Sequence, residues 1–509
     1  MSAMFRSILY TGNTDGPECA EPDCLADLHL DDVISAIGRH DDDELHRMYR
    51  CWARDVDEVA YRHEVFRDLS SGVREPVTSF VDGIGAMRGQ LATASALMHP
   101  LGRQGWQLDA MSTYLRAVVD LHTALSTAEP SGRGLSALCD YLDCYRRSEA
   151  FTSLERDTVR VREELGAIRY SLHIKGLRLE VDQYRGEPEY SDQVAELFSR
   201  FRRGAVRDYR ISYPSYPGMS GAEEQILDRV AKLFPDQFAA LAAHCRRYPN
   251  VIDPTLSRFA TEVRFYLAYL RFMDRFTDTA HNRFCYPTVT AEAGRLDAEG
   301  AYDLALATKG LPDQACPVTN EVRLGGAERI VIVTGPNQGG KTTLARTIGQ
   351  LAYLSALGCP VPAARATVTL PDAVFTHFER QERVASLHGK LDDELLRIRD
   401  ILARASARSV IVMNESFAST SLSDALAIGT DVLHRIIGIG CIAVYVSFLD
   451  ELSRLDPACV SMVGGVDPAD PTARTFRFGR RRADGLAHAD ALATKYGLAP
   501  DVLRRRVSR

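Results

Sequence analysis

The sequence predicts a chain in two parts: a mainly α-helical region over residues 1–285 and an α/β domain with a mainly parallel sheet over residues 286–509. Three observations carry this expectation. From about Asp31 to about Phe284, apolar residues recur three and four apart in stretches rich in Ala, Leu, Arg and Glu, of which Val161 to Arg169 is typical. After Tyr286-Pro287, short β-branched runs alternate with helical patterns, the order expected of parallel strands joined by crossover helices. Between one such run, Ile330 to Val333, and the next helix lies the glycine-rich stretch Gly335-Pro336-Asn337-Gln338-Gly339-Gly340-Lys341-Thr342.

In the first part, helix breaks fall near Pro100, at Pro130-Ser131-Gly132, and through Ile211 to Gly218, where two prolines and a glycine end any helix. In the second, the expected strands are Thr288 to Thr290, Ile330 to Val333, Ala366 to Val368, Val410 to Met413 and Ile442 to Val446. With 509 residues, 45% hydrophobic and 25% charged, the chain is an ordinary globular protein with enough length for more than one core. A formal net charge of -7 provides no whole-molecule attraction to nucleic acid or anionic lipid, so any such contact must be a local patch. No apolar run is long enough to span a bilayer and the start lacks a signal-peptide layout, so a cytoplasmic protein without membrane contact is expected. Of the eleven cysteines only Cys19/Cys24 and Cys139/Cys144 lie close together, neither at the spacing of a zinc knuckle or redox pair, and reduced thiols are expected.

The glycine-rich stretch has the composition and flanks of a phosphate-binding loop, which makes the second part an α/β domain of the P-loop NTPase type. Its glycines allow backbone N–H groups to converge on phosphate oxygens. Lys341 supplies a point charge to the β/γ-phosphates, and the Thr342 hydroxyl is a magnesium ligand candidate. Arginine greatly outnumbers lysine in the chain, so a lysine at this one place is not a compositional accident.

A nucleotide hydrolase also needs groups to hold the magnesium shell and to orient the attacking water, usually at the end of a buried strand beside the loop. In Ser409-Val410-Ile411-Val412-Met413-Asn414-Glu415, four apolar residues make a doubly buried strand, with Asn414 and Glu415 at its carboxyl end. Glu415 is the candidate to orient water; Asn414 offers an amide oxygen to the magnesium shell without charge. The following Ser416 to Asp424 is a hydroxyl-rich loop entering a helix near Leu422. Ser421 and Asp424 are spaced as a capping box, and spacing leaves open whether the loop only caps the helix or also holds an anion.

Together these residues resemble the MutS family, the ATPases of DNA mismatch repair and their relatives within the wider ABC-type class. Thr334 to Thr343 resembles the family's P-loop, and Gly358-Cys359-Pro360-Val361-Pro362-Ala363 the segment after the following helix. Phe378 to Leu395 occupies the place of the glutamine loop and its helix, with Ser386 where the family has a serine. Asn414-Glu415 matches an Asp-Glu pair, and Ser419-Thr420-Ser421 a signature loop that touches the ATP of a partner subunit. The resemblance implies ATP and Mg2+ held by Gly335 to Thr343, with Thr342 and Asn414 at the metal and Lys341 and Glu415 catalytic. It also implies a homodimer with a composite site, and residues 1–285 as a helical core and lever, with Tyr61 to Leu69 the most familiar piece. A mismatch-reading domain is expected to be absent. Two departures imply slow hydrolysis: Asn414 replaces an Asp, and Phe448 stands where a His is usual; in the signature loop Phe417 and Ser419 replace glycines, which implies a less close approach of its backbone to the phosphate.

Basic residues gather at Arg156, Arg160, Arg162, Arg169, Lys175 and Arg178, and again at Arg200, Arg202, Arg203, Arg207 and Arg210. If they share a face, they could neutralise DNA phosphates without reading base sequence; a solvated helix face is the alternative. Arg480 to Arg482 and Arg504 to Arg506 are expected to be plain surface. The leading expectation is an ATP-dependent switch that closes a helical clamp on a DNA structure. An ATP-gated protein-interaction scaffold and a nucleotide sensor without DNA binding are the alternatives. Tyr302 is a candidate for stacking on adenine.

Overall fold

The computed structural model describes residues 5–12, 22–38, 42–176, 178–187, 219–276, 283–313, 316–379, 389–467, 469–470 and 473–483. Contacts group the chain into two compact units. One is Met1–Phe5, Ser71–Ser131 and Leu135–Thr261; the other is Arg6–Ser70, Gly132–Gly134 and Glu262–Arg509. Residue 285 falls inside the second unit. The chain starts with the helices α1 (Cys24–Asp27), α2 (Leu30–Ile37), α3 (Asp43–Met48) and α4 (Val56–Asp68), all of the second unit.

The first unit is built from long helices that stop where the sequence breaks were read: α5 (Arg74–Ala96), α6 (Pro100–Ala128), α7 (Arg133–Arg147) and α8 (Glu149–Gly166). Pro100 opens α6, where its missing N–H costs nothing. The antiparallel hairpin of β1 (Tyr170–Lys175) and β2 (Arg178–Gln183) follows. The helical reading missed this hairpin because its apolar residues, Leu172, Ile174, Leu179 and Val181, alternate over spans too short to separate from a helix by period alone. Next come α9 (Gly221–Leu233), which carries a capping box of Ser220 and Glu223, α10 (Pro235–Arg247), and α11 (Pro254–Asp274), which ends in the second unit. Leu108, Val161 and Leu241 join α6, α8 and α10 in a buried cluster. The break at 211–218 lies outside the described residues.

The second unit continues with β3 (Thr288–Thr290), β4 (Leu296–Ala301), α12 (Leu304–Gly310), β5 (Asn320–Leu324), β6 (Ile330–Thr334), α13 (Lys341–Ala356) and β7 (Arg365–Thr369). It is completed by β8 (Val374–Phe378), α14 (Lys390–Arg404), β9 (Val410–Asn414), α15 (Leu422–Ile439), β10 (Ile442–Val446), β11 (Cys459–Val466) and β12 (Arg474–Arg480). The main sheet has the order β12-β11-β6-β10-β9-β8, parallel except for β12, and a second sheet runs β3-β7-β4-β5. Every residue of β6 and β10 is buried, which is why these strands read as unbroken apolar runs.

α13 is buried around most of its circumference, because the sheet lies against it on one side and the amino-terminal segment on another. Gln350 Nε2 donates to Leu28 O at 2.9 Å, Tyr353 Oη donates to Tyr49 O at 2.9 Å, and Thr376 Oγ1 of β8 donates to Asp27 Oδ2 at 2.6 Å. Gly349 is required here, since a Cβ would lie 2.5 Å from Leu28 Cδ2. At the far end of α13 the fully buried Arg62 donates to Leu357 O at 2.8 Å, Leu9 O at 3.1 Å and Cys51 O at 3.3 Å, and pairs with Glu58 at 2.9 Å. A guanidinium at a helix carboxyl terminus meets both the orphan carbonyls and the negative end of the dipole. Cys51 is disulfide-bonded, a correction to the expectation of reduced thiols throughout: a spacing argument addresses only cysteines close in sequence. No helix among the described residues is long and apolar enough to cross a membrane.

Arg62→Ala leaves Glu58 as a buried charge without its partner and should lower stability by about 3–5 kcal/mol, read as a shift of the chemical-denaturation midpoint. Arg54→Ala, half-exposed and 4.0 Å from the same carboxylate, should cost under about 1 kcal/mol. His63 is buried against the Tyr286 ring, and burial, helped by Arg67, holds its pKa down to about 4. The unfolded chain therefore binds more protons between that value and the ordinary 6.5, and stability falls as pH drops through this window. His63→Phe, which keeps the ring contact and cannot titrate, should remove up to about 3 kcal/mol of that acid-side loss.

Candidate functional site

The loop after β6 turns on residues that only its glycines can occupy. Gly335 has φ 132, and a Cβ there would lie 2.9 Å from Gly464 N of β11; a Cβ on Gly339 would lie 2.8 Å from Pro336 O. Gln338 takes φ 58 without a glycine's freedom. Gly340, at φ 89, caps α13 and leaves the first-turn N–H groups facing the loop, the usual setting for an anion.

Lys341 is the first residue of α13 and only 5% exposed. Its Nζ donates to Gly335 O at 3.1 Å, Asn337 Oδ1 at 3.2 Å and Pro336 O at 3.4 Å, and lies 4.7 Å from the centre of the Phe448 ring. Burial pulls its pKa below the ordinary lysine value, Glu415 opposes that, and Arg474 adds to it. Arg474 Nε also donates to Asn337 O at 3.4 Å, so a second cation stands at the loop.

The register of the parallel sheet delivers the other half of the site. Val333 pairs with Val446, and Val446 with Asn414, so the carboxyl ends of β6, β10 and β9 lie side by side. Thr342 Oγ1 donates to Asn414 Oδ1 at 2.9 Å, which brings the two candidate metal residues together. A hydroxyl and an amide oxygen are hard donors of the kind magnesium takes, so the pair fits that ion. Glu415 lines a cavity of about 780 Å³ together with Asn337, Gln338, Gly340, Lys341, Thr342 and Thr343. Gly335, Pro336 and Gly339 form the turn behind this row, and Phe448 stands in the cavity wall.

Ser419, Thr420 and Ser421 do not line this cavity. Ser421 caps α15: its Oγ accepts from Asp424 N at 3.2 Å and lies 2.7 Å from Asp424 Oδ2. Tyr302 does not stack on a ligand; it is 1% exposed and packs edge-on against Phe284, which corrects the expectation. Being near the start of the domain in sequence does not put a ring at the cavity. The aromatic and aliphatic wall comes instead from Phe476, Leu306 and Val318, all missed in the sequence. Phe476 sits in the strand-like run 475–478 but takes φ 56, and Asn320 fixes it, donating from Nδ2 to Phe476 O at 3.1 Å and accepting at Oδ1 from Phe478 N at 2.8 Å. No pattern in the run marks a strand residue turned in this way.

In the first unit, several of the candidate DNA-contacting cations are ion-paired. Arg162 meets Asp109 at 2.8 Å, Arg160 meets Asp157 at 3.7 Å and Lys175 meets Glu180 at 2.6 Å. In the second, Arg480 pairs with Glu328. The Arg200 to Arg210 group, Ser386 and Arg504 to Arg506 lie outside the described residues.

A parallel sheet with a glycine-rich loop, a buried lysine at the first turn of the next helix, and an Asn-Glu pair on a neighbouring strand define a nucleoside-triphosphate-binding domain of the P-loop class. Residues 331–487 match the model of MutS domain V, the ATPase domain of the MutS family. The DNA mismatch repair protein MutS of Chlorobium limicola is 27% identical over 252 residues, covering 48% of this chain and 28% of that protein. MutS of Psychrobacter cryohalolentis is 33% identical over 141 residues, 27% of this chain and 14% of its own length. The Endonuclease MutS2 of Thermomicrobium roseum is 28% identical over 205 residues, 40% of this chain and 26% of its own. The chain thus spans less than a third of the length of these relatives. ATP and Mg2+ binding are general properties of this ATPase domain.

Asn414→Asp places a carboxylate against the Thr342 hydroxyl. The magnesium concentration giving half-maximal nucleotide binding should fall by roughly tenfold, equivalent to about 1.4 kcal/mol, as measured by titration of a fluorescent ATP analogue.

Proposed function

We propose that the protein is a cytoplasmic, homodimeric MutS-type ATPase that uses ATP binding, with slow hydrolysis, to switch a helical clamp on a DNA structure without reading base sequence. In this reading residues 286–509 are the ATPase domain and residues 1–285 the core and lever. The observation that carries the nucleotide half is the convergence of Lys341, Thr342 and Glu415 on one cavity, with Asn414 hydrogen-bonded to Thr342. The names of the relatives support the DNA half: two are DNA mismatch repair proteins and one an endonuclease.

Each residue then has a task. Lys341 would exchange its loop oxygen partners for the β/γ-phosphates, the N–H groups of Asn337 to Thr343 would cradle them, and Thr342 with Asn414 would hold magnesium. Magnesium supplies charge neutralisation across the β- and γ-phosphates when bound. Glu415 orients the attacking water. Phe448 has no group to hydrogen-bond a γ-phosphate or water, and Asn414 adds no negative charge to the metal, so the site holds nucleotide better than it turns it over. Ser419 to Ser421, at the start of α15 and outside the chain's own cavity, are placed to serve the site of a second copy. ATP shifts the clamp only so far as it binds the closed state more tightly.

One observation favours the second reading, a protein-partnered switch: the ion pairs of Arg160, Arg162 and Lys175 remove charge that DNA phosphates would need. The test is the steady-state ATP hydrolysis rate in the presence of homoduplex, mismatched or branched DNA, with Lys341→Ala as the blank. Stimulation by one structure, falling steeply with salt, is the expected result; a flat response at low salt transfers the reading to the protein partner. Glu415→Gln should lower turnover by about a hundredfold or more while keeping ATP binding, and unchanged turnover removes Glu415 from its role.

A further inference from the structure

We propose that Glu394 of α14, acting together with His377 of β8, is a positioning residue for Glu415; the inference rests on the water-orienting role proposed for Glu415. The backbone around this acid is under strain. Glu415 has φ 50 and Phe417 φ 65, both left-handed and neither a glycine. Such residues are strained and persist only where their surroundings over-determine them. Here the surroundings are two strands and one helix. Glu415 N donates to Val446 O at 3.0 Å and Tyr445 Oη donates to Ser416 O at 3.2 Å, both from β10. Phe417 N donates to the Glu394 carboxylate at 3.0 Å, and Ser416 Oγ lies 2.7 Å from His377 Nδ1.

Glu394 grips this segment at two points. Besides taking the Phe417 N–H, its backbone oxygen lies 3.1 Å from His377 Nε2, and a carbonyl only accepts, so the proton sits on Nε2. In the neutral ring Nδ1 is then an acceptor, and the Ser416 hydroxyl has two acceptors on His377, Nδ1 at 2.7 Å and the backbone oxygen at 3.2 Å. Side chain and main chain of one α14 residue therefore fix both residues that follow Glu415. All parties are buried, Glu394 at 5%, His377 at 1%, Ser416 at 7% and Phe417 at 0% exposure, so water does not replace a lost contact cheaply. A loop that needed only packing would not call for a buried carboxylate, whose ionisation burial opposes and the Phe417 N–H favours.

The test compares Glu394→Ala with Glu394→Gln, which keeps an oxygen to accept from Phe417 N, in the full chain. Two quantities are read: ATP turnover against the Kd of a fluorescent ATP analogue, and hydrogen exchange of the peptide spanning residues 414–420. For Glu394→Ala the expected result is a kcat about tenfold or more lower with Kd within about twofold, and exchange at 414–420 about tenfold faster with P-loop peptides unchanged. Glu394→Gln should recover most of both. Unchanged exchange at 414–420 in Glu394→Ala overturns the inference whatever the turnover. So does a kcat loss matched by an equal rise in Kd, or one that Gln does not rescue. A wild-type rate no higher than that of Lys341→Ala instead sinks the hydrolytic reading, so the two failures are distinguishable.

Discussion

The enclosure of α13 is the constraint on which the rest of the second unit depends. A helix on an open parallel sheet ordinarily shows one face to water and carries polar residues there. Here Gln350, Tyr353 and Ser355 are buried alongside Leu344, Ile348 and Leu351, so each polar group needs a partner supplied from elsewhere in the chain. Gln350 and Tyr353 each find one in the segment before residue 70, Leu28 O and Tyr49 O, with Ala53 N reaching Ala356 O nearby, and Gln350 also meets Leu304 N and Asp303 Oδ1. Arg62 closes the carboxyl end at Leu357 O. The helix is thus held at its far end by a cation and, at its near end, presents free N–H groups and Lys341 to the loop. This orientation suits an anion at the loop, because the two ends of the dipole meet charges of the right sign.

A second consequence concerns how the site is assembled. No single segment contains it; the register of β6, β10 and β9 aligns the three strand ends, and the crossover helices are long enough to return the chain to the same edge. Because all three strands are buried on both faces, a slip in register would move Asn414 away from Thr342 and drive apolar side chains out of a packed core. Core packing and site geometry are therefore one requirement.

Much of this could be read from the sequence, for identifiable reasons. The strands at 330–334, 410–414 and 442–446 were legible because doubly buried strands are apolar and β-branched, those at 288–290 and 365–369 through their β-branched residues alone, and the P-loop because its glycines and lysine answer to a ligand rather than to the fold. The segment 296–301, Leu-Asp-Ala-Glu-Gly-Ala, was not, since its small and acidic residues have low strand propensity and tertiary pairing with β5 and β7 overrides it. The hairpin at 170–183 hid in a helical context. The union of residues 6–70 with the α/β unit was also invisible, because it depends on hydrogen bonds between residues 50 to 350 apart, such as Leu28 with Gln350, and no local pattern encodes these. At the site, Phe476 and the pairing of His377 with Ser416 escaped notice for the same reason: their roles come from backbone turns and neighbours, not spacing.

The departures at Asn414 and Phe448 are best understood with the rest of the loop. In a site with an Asp beside the Thr342 hydroxyl and a His across from Lys341, negative charge and a polar ring would surround the ammonium. Here Lys341 lies against a phenyl ring and is held by three oxygens of the loop itself, while burial pulls its pKa down and Glu415 opposes that. Such a lysine gains from an arriving polyphosphate, because the ligand brings further negative charge to an ammonium whose hydrogen-bond partners in the loop are neutral oxygens. Binding energy of this kind is realised on arrival and changes little as a bond breaks. It strengthens the hold on nucleotide without lowering the barrier to hydrolysis. In the proposed reading, the same chemistry slows turnover and lengthens the nucleotide-bound state, which is the property a clamp-like switch requires.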